Sequence, residues 1–329
     1  MKISEIYVYP IKSLRPAQLS EAVATKHGFA NDRRFMLLKA MPEGYKNMAV
    51  CHFPEMTLFL TKIVFPEQDE GEKGSVVVEF RAPGHTESKM LKIPLQPDTT
   101  NLELFEVSIH RSTTQAFKMP AEYSLWFSEC FGYDVILAYL GDNLRSVLFE
   151  DMKPAKGNSW LSTISNTILG SAGPEEARIT FADCAPYLLA SKTSLVDVSS
   201  RLPEGEEMDV TKFRPNIVIE GAEEAWEEDY WGKIEIDGAE LTLAHNCIRC
   251  KSINIDYTTG LPGTGESGSV LKKLQKDRRV DKGAKWSAVF GRYSFWNSKN
   301  RDTTFRVGDE VTVTQRNPER TTWSWKGLG

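Results

Sequence analysis

The chain has 329 residues, of which 41% are hydrophobic, so it can bury a large core, and its length favours two domains. Its 40 basic and 45 acidic residues give a net charge of −5, which excludes an overall basic field that would draw the protein to nucleic acid or to an anionic membrane. Five sparsely spread cysteines exclude a secreted disulfide framework, and the sequence has neither a run of about 18 apolar residues nor a signal peptide, so we expect a soluble, cytoplasmic protein.

Short strands are predicted through about the first 115 residues. The patterns KISEIYVYPIKS, RRFMLLKA, SVVVEF and ELFEVSIH are rich in β-branched and aromatic residues and are separated by Gly, Pro and acidic turns. Strands of this length with few helices between them favour a barrel or a compact mixed sheet.

The first helix is predicted at PAEYSLWFSECFG. Its apolar side chains recur at helical spacing, and Gly132 suits the C-terminal end. The predicted apolar stripe consists of Tyr123, Trp126, Phe127, Cys130 and Phe131.

The second half predicts further strands with a few helices. The polar residues 153–173 indicate a loop or linker, and SKTSLVDVSSRL predicts a helix with Ser191 as its N-cap. PNIVIEG predicts a buried strand, and KIEIDGAELTLAH predicts a hairpin that turns at Asp-Gly. SVLKKLQKDRR predicts a short basic helix, and FRVGDEVTVTQ a final β-turn-β pattern. The fold class is therefore α+β and β-rich.

The stretch HNCIRCKSINIDYTTG places Cys247 and Cys250 three positions apart, and four interpretations of the pair stay open. A thioredoxin-type pair needs an α-helix at its first cysteine, whereas the residues that follow are β-branched and end in a turn. A structural zinc site needs about four ligands, more than the two cysteines and His245 supply. The cysteines could also pack as small hydrophobes. In the fourth interpretation, one thiolate ligates a soft metal carried by an organic cofactor, and Arg249 binds the anion of that cofactor.

The fourth interpretation requires other anion-binding groups at strand ends. The candidates are Lys12 and Ser13 after YVYPIKS, Arg33 and Arg34 before FMLLK, and Arg214 and Asn216 around Pro215 in KFRPNIVIE. Each one alone is equally compatible with a surface charge or amide. Together they favour a pocket for an anionic cofactor.

The motifs YPIKS, DRRFML, FRPNIVI, CIRC followed by DYTTG, and VGDEV together resemble the MOSC proteins, named for the C-terminal domain of molybdenum cofactor sulfurase. The stretch from Asp183 to Pro186 belongs to the same pattern. Order and spacing most resemble the mitochondrial amidoxime-reducing component type, from Tyr7 to about Val313. The resemblance implies an N-terminal β-barrel region over residues 1–135, a MOSC β-barrel domain with helices over residues 136–329, and a cofactor cleft between them.

The resemblance also implies roles for individual residues. Cys250 would ligate molybdenum, and Cys247 would pack without ligating. Asp183 would line the same pocket as a candidate proton donor, with a structural carboxylate as the alternative, while Ala185 stands where relatives often have Ser. The implied cofactor-binding residues are Lys12, Ser13, Arg34, Arg214, Asn216, Arg249 and Cys250.

The implied activity is that of a molybdopterin-dependent oxidoreductase, which reduces N-hydroxylated compounds such as amidoximes and hydroxylamines. Its cofactor would be the molybdenum cofactor, and its electrons would come from a cytochrome b5-type donor and a flavin reductase. The alternative is a cofactor-binding or sulfur-carrier protein without reductase activity. Relatives are anchored in the mitochondrial outer membrane, whereas this sequence shows no anchor, so we expect no membrane segment and no nucleic-acid partner.

Overall fold

An eight-stranded sheet of the described residues is built from both halves of the chain. The computed structural model describes residues 1–66, 74–152, 177–297 and 300–328. With strands numbered in chain order, the sheet runs β2 (Ala17–Leu19), β1 (Lys2–Val8), β16 (Ile217–Glu220), β15 (Tyr187–Ser191), β21 (Val289–Trp296), β18 (Ala239–Ile248), β17 (Trp231–Ile236) and β23 (Val311–Arg316). β1 pairs antiparallel with β16, so that Ile6 lies opposite Ile217. The N-terminal strand therefore belongs to the sheet of the second half.

Smaller sheets account for the other described strands. A five-stranded sheet runs β10 (Leu104–Ile109), β11 (Ser112–Lys118), β12 (Val135–Tyr139), β5 (Phe35–Ala40) and β6 (Tyr45–Asn47). One three-stranded sheet runs β7 (Phe59–Val64), β8 (Ser75–Phe80) and β9 (Lys89–Pro94). Another runs β22 (Thr303–Arg306), β3 (Glu21–Thr25) and β4 (Gly28–Phe29). Two strand pairs are β13 (Arg145–Ser146) with β14 (Arg178–Ile179), and β19 (Ile255–Asp256) with β20 (Leu261–Pro262). The β-rich α+β class is confirmed.

The described residues form three α-helices, namely α1 (Ala121–Phe131), α2 (Lys192–Ser199) and α3 (Val270–Leu274). The end of α1 is as predicted, because Gly132 adopts the left-handed conformation at φ 76°. Ser191 is the N-cap residue of α2, but its hydroxyl makes no capping hydrogen bond. The basic helix α3 is only five residues long. The other short helices of the described residues are 3₁₀ helices.

The predicted Asp-Gly hairpin is confirmed by the pairing of β17 with β18. Asp237 and Gly238 both have positive φ, 47° and 74°, as a primed turn requires. The final β-turn-β pattern is also present, although its strands β22 and β23 pair with different sheets. The predicted linker over residues 153–173 lies outside the described residues.

One hydrophobic core extends through both halves of the chain. Phe59 packs at 4.6 Å, between ring centroids, against Phe131 of α1, and the same cluster contains Trp231 of β17. The division at residue 135 stays a prediction, since core and central sheet are shared. No helix in the described ranges combines the length and the apolar character needed to cross a bilayer.

Candidate functional site

One cleft, here called the cationic cleft, contains most of the predicted site residues. It lies where β15, β16 and β18 begin or end, and the turn before β5 adds one arginine. The predicted residues that line it are Asp183, Arg214, Asn216, Arg249 and Cys250. Arg33, Lys212, Cys247, Ser252 and Tyr293 complete the polar and sulfur-bearing lining. A cleft between two domains stays a prediction, because all of these residues except Arg33 come from the second half.

Two arginines of the cleft share one aromatic ring. The guanidinium carbons of Arg33 and Arg214 each lie 4.4 Å from the ring centroid of the buried Tyr9. Arg33 is neutralised by Asp32, whose carboxylate oxygen lies 2.6 Å from Nη1. Arg214 donates Nη1 to the carbonyl of Leu14 at 2.9 Å, and its buried Nη2 has no partner. Among the described residues, Arg214 therefore has no carboxylate partner, and burial lowers its pKa.

Asn216 connects the parts of the cleft. Its Oδ1 accepts from Nη1 of Arg33 at 3.0 Å and from the amide of Leu188 at 3.2 Å. Its Nδ2 donates to the carbonyl of Tyr7 and to Asp32. Because both the oxygen and the nitrogen of this amide are engaged, Asn216 orients Arg33, and its predicted contact with a cofactor stays a prediction.

Three residues predicted or found at this site have left-handed backbone. Ser13, Arg33 and Arg214 have φ values of 71°, 50° and 58°. Such conformations are unfavourable for residues with a side chain and persist where the surrounding structure imposes them. At Arg214 this backbone ends the 3₁₀ turn Val210–Phe213 and lets the next residues enter β16.

Asp183 is held as a carboxylate. It pairs with Nζ of Lys12, and Nε2 of His110 lies 3.5 Å from its Oδ1. Partial burial opposes ionisation, but the charge of Lys12 and the hydrogen bond with His110 hold the pKa of Asp183 well below its ordinary value. This charge state favours the structural alternative, and the proton-donor role stays a prediction.

A second buried arginine shapes the turn around Asp183. Arg145 is 1% exposed, and its guanidinium donates to the carbonyls of Thr180, Ala182 and Asp183. These contacts fix the chain before β15, and no sequence pattern around Arg145 indicates this role.

The structure separates Arg34 from the cationic cleft. Its guanidinium donates to the carbonyl of Gly141 and lines another cavity of about 610 Å³, together with Phe117 and Tyr139. Ser13 is buried beside Lys12 and is not part of the cleft lining. The cofactor contacts predicted for Arg34 and Ser13 stay predictions, while the neighbouring Arg33 occupies the cleft.

Cys250 is an exposed cysteine that starts the 3₁₀ turn Lys251–Asn254. Its sulfur lies 3.2 Å from the hydroxyl of Ser252. A hydrogen bond with Cys51, followed by those of Ser252 and the charge of Arg249, lowers the pKa of the Cys250 thiol. The thiolate, which is the form that binds soft metals, is therefore favoured.

Cys247 and His245 are positioned differently from Cys250. Cys247 is 2% exposed, and burial raises the pKa of its thiol. The ring nitrogens of His245 lie 3.2 Å from the carbonyl of Thr322 and 3.1 Å from Asp151. These contacts occupy His245, which the zinc interpretation required as a ligand, and the chain after Cys250 forms no α-helix of the thioredoxin kind.

The guanidinium of Arg249 donates hydrogen bonds to backbone carbonyls. Its Nε and Nη2 donate to the carbonyl of Phe290, and Nη1 donates to that of Phe213 at 2.7 Å. It therefore fixes the end of β18 against β21 and adds positive charge next to Cys250. The predicted direct contact of Arg249 with a cofactor stays a prediction.

The balance of charge decides which class of ligand fits the cleft. Its lining includes four cationic side chains, those of Arg33, Lys212, Arg214 and Arg249, and one carboxylate, that of Asp183. The unpartnered Nη2 of Arg214 is a donor suited to phosphate, and the exposed thiolate of Cys250 is a ligand suited to a soft metal. The residues present thus fit a metal-bearing anionic cofactor.

Sequence reasoning missed one polar residue that lines the cleft, Arg33. Arg33 and Arg34 are adjacent in the sequence, and no local pattern indicates which of the two lines the cleft.

Comparison with known protein families gives two matches in chain order. Residues 1–134 match the MOSC N-terminal beta barrel domain, and residues 176–312 match the MOSC domain. The two matches cover most of the chain.

Curated relatives align over 94% of the chain. Mitochondrial amidoxime reducing component 2 of Macaca fascicularis is 27% identical over 313 residues, which cover 82% of that protein. Mitochondrial amidoxime-reducing component 1 of Homo sapiens is 26% identical over 316 residues, again 82% of that protein. Molybdenum cofactor sulfurase of Arabidopsis thaliana is 28% identical over 321 residues, which cover only 35% of that larger protein.

Proposed function

The chain belongs to the MOSC-domain proteins, and on that premise we propose that it binds the molybdenum cofactor and reduces N-hydroxylated compounds such as amidoximes and hydroxylamines. Its electrons would come from a cytochrome b5-type donor and the flavin reductase of that donor. The observation that carries the proposal is the exposed Cys250 thiol beside a cleft in which Nη2 of Arg214 is buried without a partner.

The cleft residues would hold such a cofactor by two kinds of contact. Cys250 would provide the sulfur ligand for the metal, because its thiol is exposed and its thiolate is favoured. Arg214 would bind the phosphate through its unpartnered nitrogen, and Lys212 would add positive charge nearby. Asn216 would keep Arg33 in place.

When bound, the cofactor supplies the two-electron redox chemistry that converts an N–OH group to N–H with release of water. The chain contributes orientation and charge. Asp183 is ionised and paired with Lys12 and His110, so a proton that passes through its carboxylate must first be supplied by one of these neighbours or by water. The net positive lining favours an anionic cofactor over a cationic one.

The test is metal and pterin analysis of the purified protein, followed by steady-state reduction of benzamidoxime with a reconstituted cytochrome b5 chain. We expect bound molybdenum and measurable N-reduction. The Cys250→Ala variant should lose the activity, because the metal ligand is removed while the fold and the phosphate contacts remain. Cys247→Ala is the matched control and should keep most turnover at a small cost in stability.

Two results would contradict this proposal in different ways. A cofactor that is retained without any N-reduction would favour the alternative, a cofactor-binding or sulfur-carrier protein. The similarity to molybdenum cofactor sulfurase supports that alternative. Activity that survives in Cys250→Ala but is lost in Cys247→Ala would show that the ligand assignment is wrong.

A further inference from the structure

A tryptophan at the same end of the central sheet as Cys250 is almost fully exposed. Trp286 is 79% exposed, more than any other large hydrophobic side chain of the described residues. It lies just before β21, which pairs antiparallel with β18, and β18 ends just before Cys250. The amide of Arg249 donates to the carbonyl of Ala288 at 2.8 Å. The Cα atoms of Trp286 and Cys250 are therefore at most about 17 Å apart, from the spacing along the chain and across a strand pair.

The loop that carries this tryptophan, residues 279–288, is fixed to the protein by its backbone. Asp281 is buried and accepts hydrogen bonds from the amides of Gly283 and Trp323, at 2.8 and 2.9 Å. Gly283 packs so closely that a Cβ atom there would lie 2.1 Å from the carbonyl oxygen of Trp323. The loop therefore presents Trp286 from a backbone that is held in place.

A tight turn places the tryptophan at the tip of the loop. The amide of Ser287 donates to the carbonyl of Ala284 at 3.0 Å, so Lys285 and Trp286 occupy the two corner positions. Ala284 is buried in a hydrophobic cluster, whereas both corner residues are exposed. A ring of this size left in water forgoes the stabilisation that burial would give, and a partner that covers it would recover that stabilisation.

The loop and the helix α3 before it are strongly positive in a chain that is acidic overall. Residues 271–286 contain seven lysines and arginines and two aspartates, a net charge of +5, whereas the whole chain has −5. Asp281 is buried and Asp277 is paired with Arg201 at 2.6 Å, so neither offsets the exposed cations. These exposed cations are Lys272, Lys276, Arg279, Lys282 and Lys285. Only one of the five forms an ion pair with a described carboxylate, that of Glu319 at 3.0 Å from Lys282.

An exposed tryptophan surrounded by cations favours an acidic protein as the partner. Tryptophan and arginine are enriched among the residues that dominate binding energy at protein interfaces, and the cations would attract a surface of opposite charge. The same charge would attract an anionic membrane or a nucleic acid. However, a single ring at a turn provides neither the apolar helix face that lies in a membrane surface nor the row of rings on which bases stack.

We propose that the loop 279–288, with Trp286 at its tip and the exposed cations around it, is the docking surface for an acidic protein. The identity of that protein rests on the proposed function, in which it is the haem-bearing electron donor. A donor bound here would lie at the end of the sheet that carries Cys250. The partner would cover the ring of Trp286, and its carboxylates would face Arg279 and Lys285.

The first test measures binding of the cofactor-free full chain to the soluble haem domain of cytochrome b5, by isothermal titration calorimetry at several salt concentrations. We expect a complex that weakens as salt rises, because salt screens exposed charges. Trp286→Ala should raise the Kd about 5- to 30-fold. Lys285→Glu should raise the Kd most at low salt and reduce its dependence on salt.

Two matched controls lie in the first half of the chain. Leu125→Ala removes another exposed hydrophobic side chain, 62% exposed on α1. Lys92→Glu makes the same change of charge at an exposed position of β9. Both variants should bind the haem domain as the wild type does.

The second test measures N-reduction by the molybdenum-loaded enzyme with two sources of electrons. Trp286→Ala should raise the KM for cytochrome b5 by a factor similar to the rise in Kd. Turnover with dithionite-reduced methyl viologen should not change, because a small reductant needs no protein docking surface.

The outcomes separate the docking surface from the proposed function. No binding of the haem domain, or an unchanged Kd and KM in both Trp286→Ala and Lys285→Glu, would overturn the docking surface even where N-reduction is observed. Binding that depends on Trp286 in a protein without N-reduction would support the docking surface and contradict the proposed function. Binding of phosphatidylserine vesicles or single-stranded RNA in place of the haem domain, lost in Trp286→Ala, would show that the partner is not an acidic protein.

Discussion

The cationic cleft and a second group of charges around Asp229 are both built from buried or partly buried arginines, but their charges are balanced differently. We call the second group the Arg278 cluster. Its members are Glu228, Asp229, Arg278, Asp281, Arg292 and Arg320. The comparison shows which buried arginines hold the fold and which are available to a ligand.

In the Arg278 cluster, protein groups supply the negative charge. Asp229 is 0% exposed, and both of its carboxylate oxygens accept hydrogen bonds from Nη2 of Arg278 at 2.9 Å. Arg320 adds a third bond to Asp229 at 2.8 Å, and the guanidinium of Arg278 lies 3.9 Å from the ring centroid of Trp226. Such a cluster joins the segments around β17 and β21, and its carboxylates offset most of the charge of its arginines.

In the cationic cleft, positive charge exceeds negative charge. Arg214 has no described carboxylate partner, and Arg249 bonds only to backbone carbonyls. Among the described residues, each region has one buried guanidinium nitrogen without a hydrogen-bond partner, Nε of Arg292 and Nη2 of Arg214. Arg292 is 0% exposed, whereas Arg214 borders the cleft. Burial of arginine alone therefore does not indicate a binding site, but excess charge at an open cleft does.

The largest expected effect is on stability, from Arg278→Met. The substitution leaves Asp229 buried with one partner fewer, and breaking a buried pair in this way costs about 3–5 kcal/mol. Urea denaturation monitored by tryptophan fluorescence would measure the loss in free energy of unfolding. Arg320→Met is the matched control and should cost less, because that side chain is 32% exposed.

The double variant Arg278→Met with Asp229→Asn sharpens this test. It should recover part of the loss, because the uncompensated carboxylate is removed. If Arg278→Met changes the free energy of unfolding by less than about 1 kcal/mol, the cluster does not hold the fold as argued.

Local elements of the fold could be predicted from the sequence because their signals are local. The stripe of α1 ends at Gly132, and the Asp237-Gly238 turn closes its hairpin, as their patterns indicate. The pairing of β1 with β16 could not be predicted, since Ile6 and Ile217 lie about 200 residues apart. No short-range pattern specifies which distant strand completes a sheet.

The part of the site that could be predicted is the part that residue type and sequence neighbours indicate. Arg214 and Cys250 were identified because an arginine before an apolar strand and a cysteine beside an arginine are unusual. Arg33 was passed over for Arg34 because the choice depends on a left-handed backbone at Arg33.

A smaller effect, dependent on pH, is expected from Glu228 in the Arg278 cluster. Burial raises the pKa of this carboxyl from 4.5 to about 7, although the hydroxyl of Ser194 donates to it. Between these values the unfolded chain loses the proton while the folded chain keeps it. The stability of the protein therefore falls as pH rises through this window, by at most about 3 kcal/mol.

Glu228→Gln removes this titration. Thermal melts at several pH values should show the variant gaining on the wild type from about pH 4.5 to pH 7, with a constant difference outside that window. The slope is the diagnostic quantity, because the new amide also has its own cost of burial. Parallel stability curves for variant and wild type would mean that Glu228 does not titrate in this range.

The smallest effect on the fold is expected from Arg214→Gln, and this variant tests the comparison most directly. Removing this guanidinium also removes a like charge next to Arg33, so the lost hydrogen bond to Leu14 is partly offset and the melting temperature should change little. Cofactor binding should suffer, because a charge-assisted hydrogen bond contributes about 1.5–3 kcal/mol, or about 10- to 150-fold in affinity. Pterin content measured beside the melting temperature separates the two effects.

Arg214→Lys should retain an intermediate amount of pterin, since it keeps the charge but loses the planar fork. Unchanged pterin content with a large fall in melting temperature would place Arg214 with Arg278, as an arginine that serves the fold.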